Sequence, residues 1–315
     1  MATSRIPGHL IRDRQREFFN ENPPLYPWPR ILRRAGLTRA FKPREAFWNQ
    51  AFDRLHLEVG HRILDVGCGT GIWLDRLDTH YGAEGTGIDI SVGCLKDAVT
   101  ESINGTKFVC GGVSNLPFAS NQYDAVVSLD VLEHVTEQSR CLEEMVRVLK
   151  PGGHCLIWTI NGQQTYTWNW LLDKLGVDVF ERVSHDPRLL PRISEMSAQL
   201  SAYGVRIWHK ELFNSFFTLA LDEAIMVTVS LFERLGFFRH KGRVARVVGI
   251  AFIAVSDGLS RNLWKLLNWL DGPWRRRGFS NGFLILGEKI VAAGQALASE
   301  PDGQGQVELG GAALP

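Results

Sequence analysis

The segment ILDVGCGTG, at residues 63–71, combines an acid with three glycines at alternate positions. Gly67, Gly69 and Gly71 let the backbone turn sharply and approach a ligand without a Cβ in the way. A helix that begins near Gly71 would offer free N–H groups at this turn. Asp65 precedes the turn and would repel a phosphate, and the spacing differs from the G-x-G-x-x-G of dinucleotide sites. The pattern therefore favours a ligand that carries an ammonium group.

A second acid, Asp89, ends the next apolar run, GTGIDI, 18 residues after Gly71. A carboxylate at the end of a second strand can accept hydrogen bonds from both hydroxyls of a ribose. A surface aspartate at a strand end is the alternative interpretation. Because Asp89 follows the glycine loop at this interval, the two together indicate a ligand that contains a nucleoside.

A third polar group, DVLEHV at residues 130–135, follows another apolar run. Asp130, Glu133 and His134 would lie at the carboxyl end of a strand, where open α/β sheets bind their ligands. His134 is the best candidate for a general base because its ordinary pKa lies near neutrality. The alternative is that Glu133 and His134 are structural and hold the loop and the start of the next helix.

A parallel sheet is needed to bring these three groups together. Residues 61–160 alternate short Val- and Ile-rich runs with helical segments, which predicts parallel strands joined by crossover helices. We predict an N-terminal helical cap over residues 1–60 and a large, mostly helical insertion over 161–278. The last strand of the core then falls in residues 279–294. The Gly-, Ala- and Pro-rich tail, 295–315, is predicted to be disordered.

The composition is that of a globular protein, with 45% hydrophobic and 22% charged residues in a chain of 315. The net charge of +1 lacks the basic excess of a nucleic-acid binder, so we expect no nucleic-acid partner. Five cysteines without a CxxC pair argue against a disulfide scaffold or a zinc site and favour a cytoplasmic location. The sequence contains no run of 18 apolar residues, so it predicts no membrane span.

Four ordered motifs resemble those of the class I S-adenosylmethionine-dependent methyltransferases, especially the branch of quinone and small-molecule methyltransferases. They are ILDVGCGTG, GIDIS, LPFASNQYDAVVSLDVLEHV and EEMVRVLKPGGHCLIWTI. The resemblance covers about residues 60–160 and the last strand near 282–288. It implies an α/β fold with a doubly wound, Rossmann-like sheet of seven strands. It also implies S-adenosyl-L-methionine as the cofactor.

The resemblance implies a role for each part of these motifs. Asp65 and the glycine loop would face the methionine part of the cofactor. Asp89 would bind the ribose, and Ile90 would pack on the adenine. Gly112 and Val113 would lie along the adenine edge. The full set implied for cofactor binding is Asp65, Gly67, Cys68, Gly69, Gly71, Asp89, Ile90, Gly112, Val113 and Asp130.

One position departs from the family pattern. Many relatives carry an aspartate before LPF that accepts the adenine amino group, whereas this chain reads CGGVSNLPF and has Gly112 at that place. The loss of one hydrogen bond at a partly exposed edge costs about 1 kcal/mol, which weakens binding without abolishing it. Ser114 or Asn115 could compensate. A cofactor-binding protein that has lost catalysis is therefore an alternative function.

The turn after the fourth strand would carry the chemistry, with Asp130 and Leu132 beside the methyl group. We predict His134 and Glu133 as catalytic residues, with His134 as the base. In quinone-pathway O-methyltransferases a similar acid-x-x-Glu-His pattern is associated with a divalent metal, which could lower the pKa of a phenol. Because metal-independent relatives carry the same residues, we predict no metal.

The segments outside the sheet should form the acceptor side, and one of them is unusual. Residues 260–277 read as an amphipathic helix that ends in three arginines. Residues 236–277 carry nine Lys or Arg against two Asp or Glu. Apolar helices with tryptophans and a basic cluster are typical of a helix in a membrane surface. A lid on the sheet and a dimer contact are the alternatives. The apolar face predicted for the helix over residues 260–277 comprises Leu263, Trp264, Leu267 and Leu270.

We therefore predict a methyltransferase that is cytoplasmic, either free or peripherally bound to a membrane. Its acceptor is predicted to be a lipophilic small molecule such as a quinone precursor, an isoprenoid or another lipid. One alternative is a methyltransferase of a soluble natural product or sugar, with the insertion as an ordinary lid. The other is a non-catalytic, S-adenosylmethionine-binding partner protein.

Overall fold

The computed structural model describes residues 8–21, 43–101, 105–177, 186–221, 223–224 and 263–290. The predicted tail at 295–315 lies outside these residues, as do parts of the predicted cap and insertion. Seven strands form one sheet. They are β1 (Arg62–Val66), β2 (Glu84–Asp89), β3 (Lys107–Cys110), β4 (Tyr123–Leu129), β5 (Leu149–Ile160), β6 (Val205–Phe213) and β7 (Gly282–Lys289).

The strands lie in the order β3-β2-β1-β4-β5-β7-β6. Strands β1 to β5 pair in parallel, whereas β7 is antiparallel to both β5 and β6. Helices cover both faces, as parallel strands with crossover connections require. The predicted seven-stranded, doubly wound α/β sheet is therefore confirmed.

The helices follow from local sequence signals. In the helix after β4, residues buried at helical spacing form one apolar stripe that faces the sheet. The helix after β1 ends at Gly82, whose φ of 65° is left-handed and costs glycine little. The helices are α1 (Gly8–Glu21), α2 (Pro43–Asp53), α3 (Ile72–Tyr81), α4 (Val92–Glu101), α5 (Gln138–Val148), α6 (Trp168–Lys174), α7 (Ile193–Ala202) and α8 (Gly272–Arg276). Residues 263–270 are also helical.

Strand β6 lies inside residues 161–278, where we predicted a mostly helical insertion and identified no strand. It is an edge strand, and its burial varies along its length because it pairs only with β7. A register shift between Ile207 and His209 interrupts its pattern further. An edge strand of this kind has no long apolar run, so its sequence gives a weak signal. The other described elements between β5 and β7 are helical, as expected.

The core has two apolar layers, one on each face of the sheet. Adjacent strand residues point to opposite faces, so Leu64 belongs to one layer and Ile63 to the other. The first layer packs against α5 through residues such as Met145, and the second against α3 through residues such as Leu74. Because both faces are buried, the strands read as continuous apolar runs in the sequence.

One edge of the sheet collects the carboxyl ends of six strands and the start of the seventh. The carboxyl ends of β1 to β5 lie there because these strands are parallel. Gly282 begins β7 opposite Ile160 of β5 and Phe213 of β6, so the end of β6 and the start of β7 reach the same edge. Every residue predicted from the sequence for the site lies near the end of a strand, or after one, at this edge.

Candidate functional site

The turn after β1 depends on its glycines. Gly67, Gly69 and Gly71 have φ values of 82°, 51° and 72°, which are left-handed and unfavourable for other residues. A Cβ on Gly67 would clash with Val131, and one on Gly71 would lie 2.8 Å from the ring of Phe108. The N–H groups of residues 67 and 68 both donate to the carbonyl of residue 88, at 2.7 and 3.0 Å. The loop is thus fastened to the end of β2 and lies against the turn after β4.

Asp65, near the end of β1, has a buried carboxyl group that is 1% exposed. Its Oδ2 has no hydrogen-bond partner among the residues that the structure describes. Burial, and secondarily the charge of Asp89, raise the pKa of Asp65 to about 8. A buried carboxylate without a partner is unstable, so a cation placed beside it would be bound strongly. The ammonium-bearing ligand predicted from the sequence fits this position.

Asp89 joins the glycine loop to the start of α4. Its Oδ2 accepts a hydrogen bond from the N–H of Gly69 at 2.8 Å, and its Oδ1 accepts one from the N–H of Ser91 at 2.8 Å. Burial raises the pKa of Asp89, while these hydrogen bonds oppose the shift. Each carboxylate oxygen has a second lone pair, so both can also accept from the hydroxyls of a ribose.

The predicted adenine-binding residues lie next to Asp89. The N–H of Gly111 donates to the Asp89 carbonyl at 3.0 Å, which fixes the chain that leaves β3. Ile90 and Val113 are half-buried, whereas Gly112 is exposed, and a Cβ on it would meet no atom within 4 Å. The structure thus brings these residues to one edge with the glycine loop, and it leaves room for a side chain at position 112.

Asp130 follows β4 in an unusual backbone conformation. Its φ of 58° is left-handed, which is uncommon for a residue other than glycine. Its N–H donates to the carbonyl of Trp158 on β5 at 3.1 Å. The next residue, Val131, is the one against which a Cβ on Gly67 would clash. Asp130 therefore lies close to the glycine loop, where a strained backbone is typical of ligand sites.

Glu133 lies fully buried in a 3-10 turn, Leu132–His134, after β4. Its Oε2 accepts a hydrogen bond from the hydroxyl of Thr159 on β5 at 2.7 Å. Burial, followed by the charge of Asp130, raises the pKa of Glu133 well above its ordinary range, which favours the protonated form. The hydrogen bond to Thr159 therefore fixes this turn against β5.

His134 is covered by the N-terminal helix. Its half-buried ring meets the ring of Phe19 edge to face, with centroids 5.1 Å apart. Asn20 fastens α1 at this place, because its Oδ1 accepts from the Ser91 hydroxyl at 3.0 Å and from the Gly93 N–H at 3.1 Å. The sequence analysis did not identify Phe19 or Asn20, since a helical pattern does not reveal which surface the helix will cover.

No three His, Cys, Asp or Glu side chains are placed to hold a metal ion in the described ranges, which include Asp130, Glu133 and His134.

The helix over residues 263–270 turns a different face outward from the one predicted. Trp264 is half-buried, and its ring lies 6.3 Å from that of Phe213. Leu266 and Trp269 are 52% and 73% exposed, and Leu263 is exposed beside them. Because this helix is apolar on most of its circumference, hydrophobic spacing alone could not decide which face packs on the protein.

Comparison with known proteins supports the resemblance. Residues 64–157 match the protein-family model for a methyltransferase domain. The chain is 38% identical over 127 residues to a bifunctional biotin biosynthesis protein, BioHC, of Cellvibrio japonicus, covering 40% of this chain and 24% of that protein. It is 36% identical over 118 residues to the demethylmenaquinone methyltransferase of Staphylococcus haemolyticus, covering 36% and 49%. It is 26% identical over 152 residues to the ubiquinone biosynthesis O-methyltransferase of Coxiella burnetii, covering 47% and 64%.

The chain therefore spans about half the length, or less, of the first two of these relatives. Among solved structures, it resembles a Haemonchus contortus phosphoethanolamine N-methyltransferase in complex with S-adenosyl-L-methionine, with a TM-score of 0.56 and 19% identity. That match covers 88% of this chain and 60% of the other. The [4+2]-cyclase SpnF matches with a TM-score of 0.50 and 20% identity, over 78% and 80% of the two chains. At these identities the likeness shows the fold alone, and a shared fold hosts different reactions.

Proposed function

We propose that the chain is a class I S-adenosylmethionine-dependent methyltransferase and that it transfers a methyl group to a lipophilic small molecule. Residues 64–157, which match the model for a methyltransferase domain, would form its catalytic domain. The observation that carries the proposal is the buried carboxyl group of Asp65 at the glycine loop, whose Oδ2 has no hydrogen-bond partner among the described residues. A cation beside this group would stabilise its charged form, and Asp89 nearby can accept from hydroxyls. An amino acid joined to a nucleoside has both features.

Different residues at this edge would bind different parts of the cofactor. Asp65 would hold the ammonium group, Asp89 the ribose hydroxyls, and the half-buried side chains of Ile90 and Val113 would contact the adenine. Gly67, Cys68, Gly69 and Gly71 would form the backbone wall, with Gly112 at the open side and Asp130 beside the methyl group. When bound, S-adenosylmethionine supplies an activated methyl group on a sulfonium sulfur.

The chain's own contribution to the reaction is alignment, exclusion of water and proton removal. His134 would accept the proton of a hydroxyl acceptor, since imidazole is the side chain that most often acts as a general base. Glu133 would hold the Leu132–His134 turn against β5 through Thr159. Phe19 would shield His134 from solvent on its outer side.

Calorimetry with S-adenosylhomocysteine tests the cofactor part of the proposal. We expect Asp65→Asn to weaken binding about 100-fold, because a buried charge pair loses one partner. Asp173→Asn, on the exposed side of α6, is the matched control and should bind like the wild type. Unchanged affinity in Asp65→Asn would contradict the proposal. Binding without methyl transfer to any fractionated lipid or cytosolic extract would favour the non-catalytic alternative.

The acceptor side supports a peripheral contact with membranes. Leu263, Leu266 and Trp269 form an exposed apolar stripe, and two exposed arginines, Arg276 and Arg277, lie at the end of α8. A stripe of this kind with adjacent cations is typical of a helix at an anionic lipid surface. In the part of the chain that the structure describes, no helix is long and apolar enough to cross a bilayer. The quinone-biosynthesis relatives, whose acceptors are lipophilic, favour the same acceptor class.

Flotation with vesicles that contain anionic lipid tests this contact. We expect the double variant Leu266→Ser, Trp269→Ser to lose most of the flotation of the wild type. The control is Val99→Ser on α4, because Val99 is 65% exposed but lies outside the stripe. Equal flotation of all three proteins, or none with the wild type, would favour a soluble acceptor and an ordinary lid.

A further inference from the structure

The loop that leaves β5 lies at the acceptor side of the sheet. It starts at Asn161, directly after β5, and ends at Thr167, the residue that caps α6. The N–H of Gly162 donates to the carbonyl of Pro191 at 2.7 Å. In the same segment, the carbonyl of Leu189 accepts from the side chain of Gln138, which also bonds the carbonyl of Leu132. The loop thus flanks the turn that carries Glu133 and His134.

Polar side chains in and around this loop are buried, and their hydrogen bonds are made within the protein. The amide of Asn161 donates to the Ser280 hydroxyl at 3.0 Å. The Thr167 hydroxyl donates to the carbonyl of residue 164 at 2.7 Å. Asp271 accepts from the N–H groups of residues 215–218, at 2.9 to 3.4 Å, and from the hydroxyl of Thr218. These polar groups therefore satisfy one another within the protein.

Gln164 is the exception in this network. Its side chain is 7% exposed, and neither Oε1 nor Nε2 has a hydrogen-bond partner in the described ranges. A buried carboxamide with both its donor and its acceptor unused is strongly unfavourable. Trp158, near the end of β5, repeats the feature, since its buried indole N–H also has no partner. In native folds, buried groups of this kind are completed by water or by a bound molecule.

We propose that Gln164 is a specificity-determining residue that recognises a neutral hydroxyl group on the methyl acceptor. The inference rests on the proposed function and names the acceptor chemistry more narrowly. A hydroxyl both donates and accepts, so it can satisfy Oε1 and Nε2 of the carboxamide together. A carboxylate only accepts hydrogen bonds, so it would pair with Nε2 and leave Oε1 unpaired. An ammonium group only donates, so it would pair with Oε1 and leave Nε2 unpaired.

The acceptor class is therefore a lipophilic molecule that carries a hydroxyl group, and 2-naphthol is a suitable probe of that class.

The first test measures the free protein. Gln164→Met replaces the carboxamide by an apolar group of similar shape and should raise the melting temperature by about 3 °C. The matched control is Gln163→Met, because Gln163 is the exposed neighbour on the same loop and should leave the melting temperature unchanged. A lower melting temperature in Gln164→Met than in Gln163→Met would show that the carboxamide is bonded internally, and it would overturn the proposal.

The second test measures recognition in the complex with S-adenosylhomocysteine. By calorimetry, the wild type should bind 2-naphthol about tenfold more tightly than its methyl ether, which cannot donate. Gln164→Met should lose this preference, whereas Gln163→Met should keep it. A wild type that does not prefer the naphthol, or a Gln164→Met that still does, contradicts the proposal. If all three proteins bind S-adenosylhomocysteine normally, such a result contradicts only the role proposed for Gln164. If the wild type does not bind S-adenosylhomocysteine, the proposed function itself is contradicted.

Discussion

Replacing Asp65 by asparagine should stabilise the free protein while it weakens cofactor binding. The pKa of Asp65 rises from the ordinary 3.8 to about 8 in the folded chain, chiefly through burial. An acid with a raised folded pKa binds its proton more tightly when folded, so it lowers stability as the pH rises from about 4 to 8. At pH 7 the penalty is about 4 kcal/mol, since each pKa unit corresponds to about 1.4 kcal/mol. Asparagine carries no charge and avoids this penalty.

Urea unfolding of the wild type and Asp65→Asn at several pH values measures the effect. The gain in the free energy of unfolding should be small near pH 4, grow towards pH 8 and then level off. An uncharged but still unpartnered amide retains about 1–2 kcal/mol of its own penalty, so the slope with pH is the cleaner quantity. Asp173→Asn should show no such slope. A difference between Asp65→Asn and wild type that does not change with pH would refute the reasoning.

Four further outcomes follow from the same geometry. Gly112→Asp should tighten S-adenosylhomocysteine binding up to about fivefold in calorimetry, because the added side chain has room and can accept the adenine amino group. Glu133→Gln should keep the melting temperature within about 3 °C of the wild type, while Glu133→Ala should lower it by more, because the protonated acid accepts from Thr159. Asn20→Ala should release α1 and increase proteolysis there, as it removes the acceptor for Ser91 and Gly93. S-adenosylhomocysteine affinity should rise from pH 6 to 8, because Asp65 must lose its proton to pair with the ammonium group.

The parts of the fold and site that the sequence predicts correctly are those with strong local signals. The parallel strands appear as apolar runs because both faces of the sheet are buried, as with Leu64 and Ile63. The glycine loop is recognisable because three closely spaced positions have a left-handed backbone, which few residues other than glycine adopt. Asp65 and Asp89 are recognisable because an acid at the end of a buried strand is unusual unless it has a function.

The features that the sequence does not predict depend on long-range contacts. Strand β6 is recognisable only from its pairing with β7, since its exposed edge position weakens the hydrophobic pattern. Phe19 meets His134 across more than a hundred residues of chain, and a helical spacing carries no information about that partner. Gln164 and its exposed neighbour Gln163 are the same residue type in sequence, and only burial distinguishes them.

The number of protons released when S-adenosylhomocysteine binds at pH 7 tests the central claim most directly. It is obtained by calorimetry in buffers with different enthalpies of ionisation. A pKa of about 8 means that Asp65 is about 90% protonated at pH 7 before the ammonium group arrives. The account predicts the release of nearly one proton in the wild type and none in Asp65→Asn. Binding without proton release in the wild type would contradict the claim that Asp65 receives the cation.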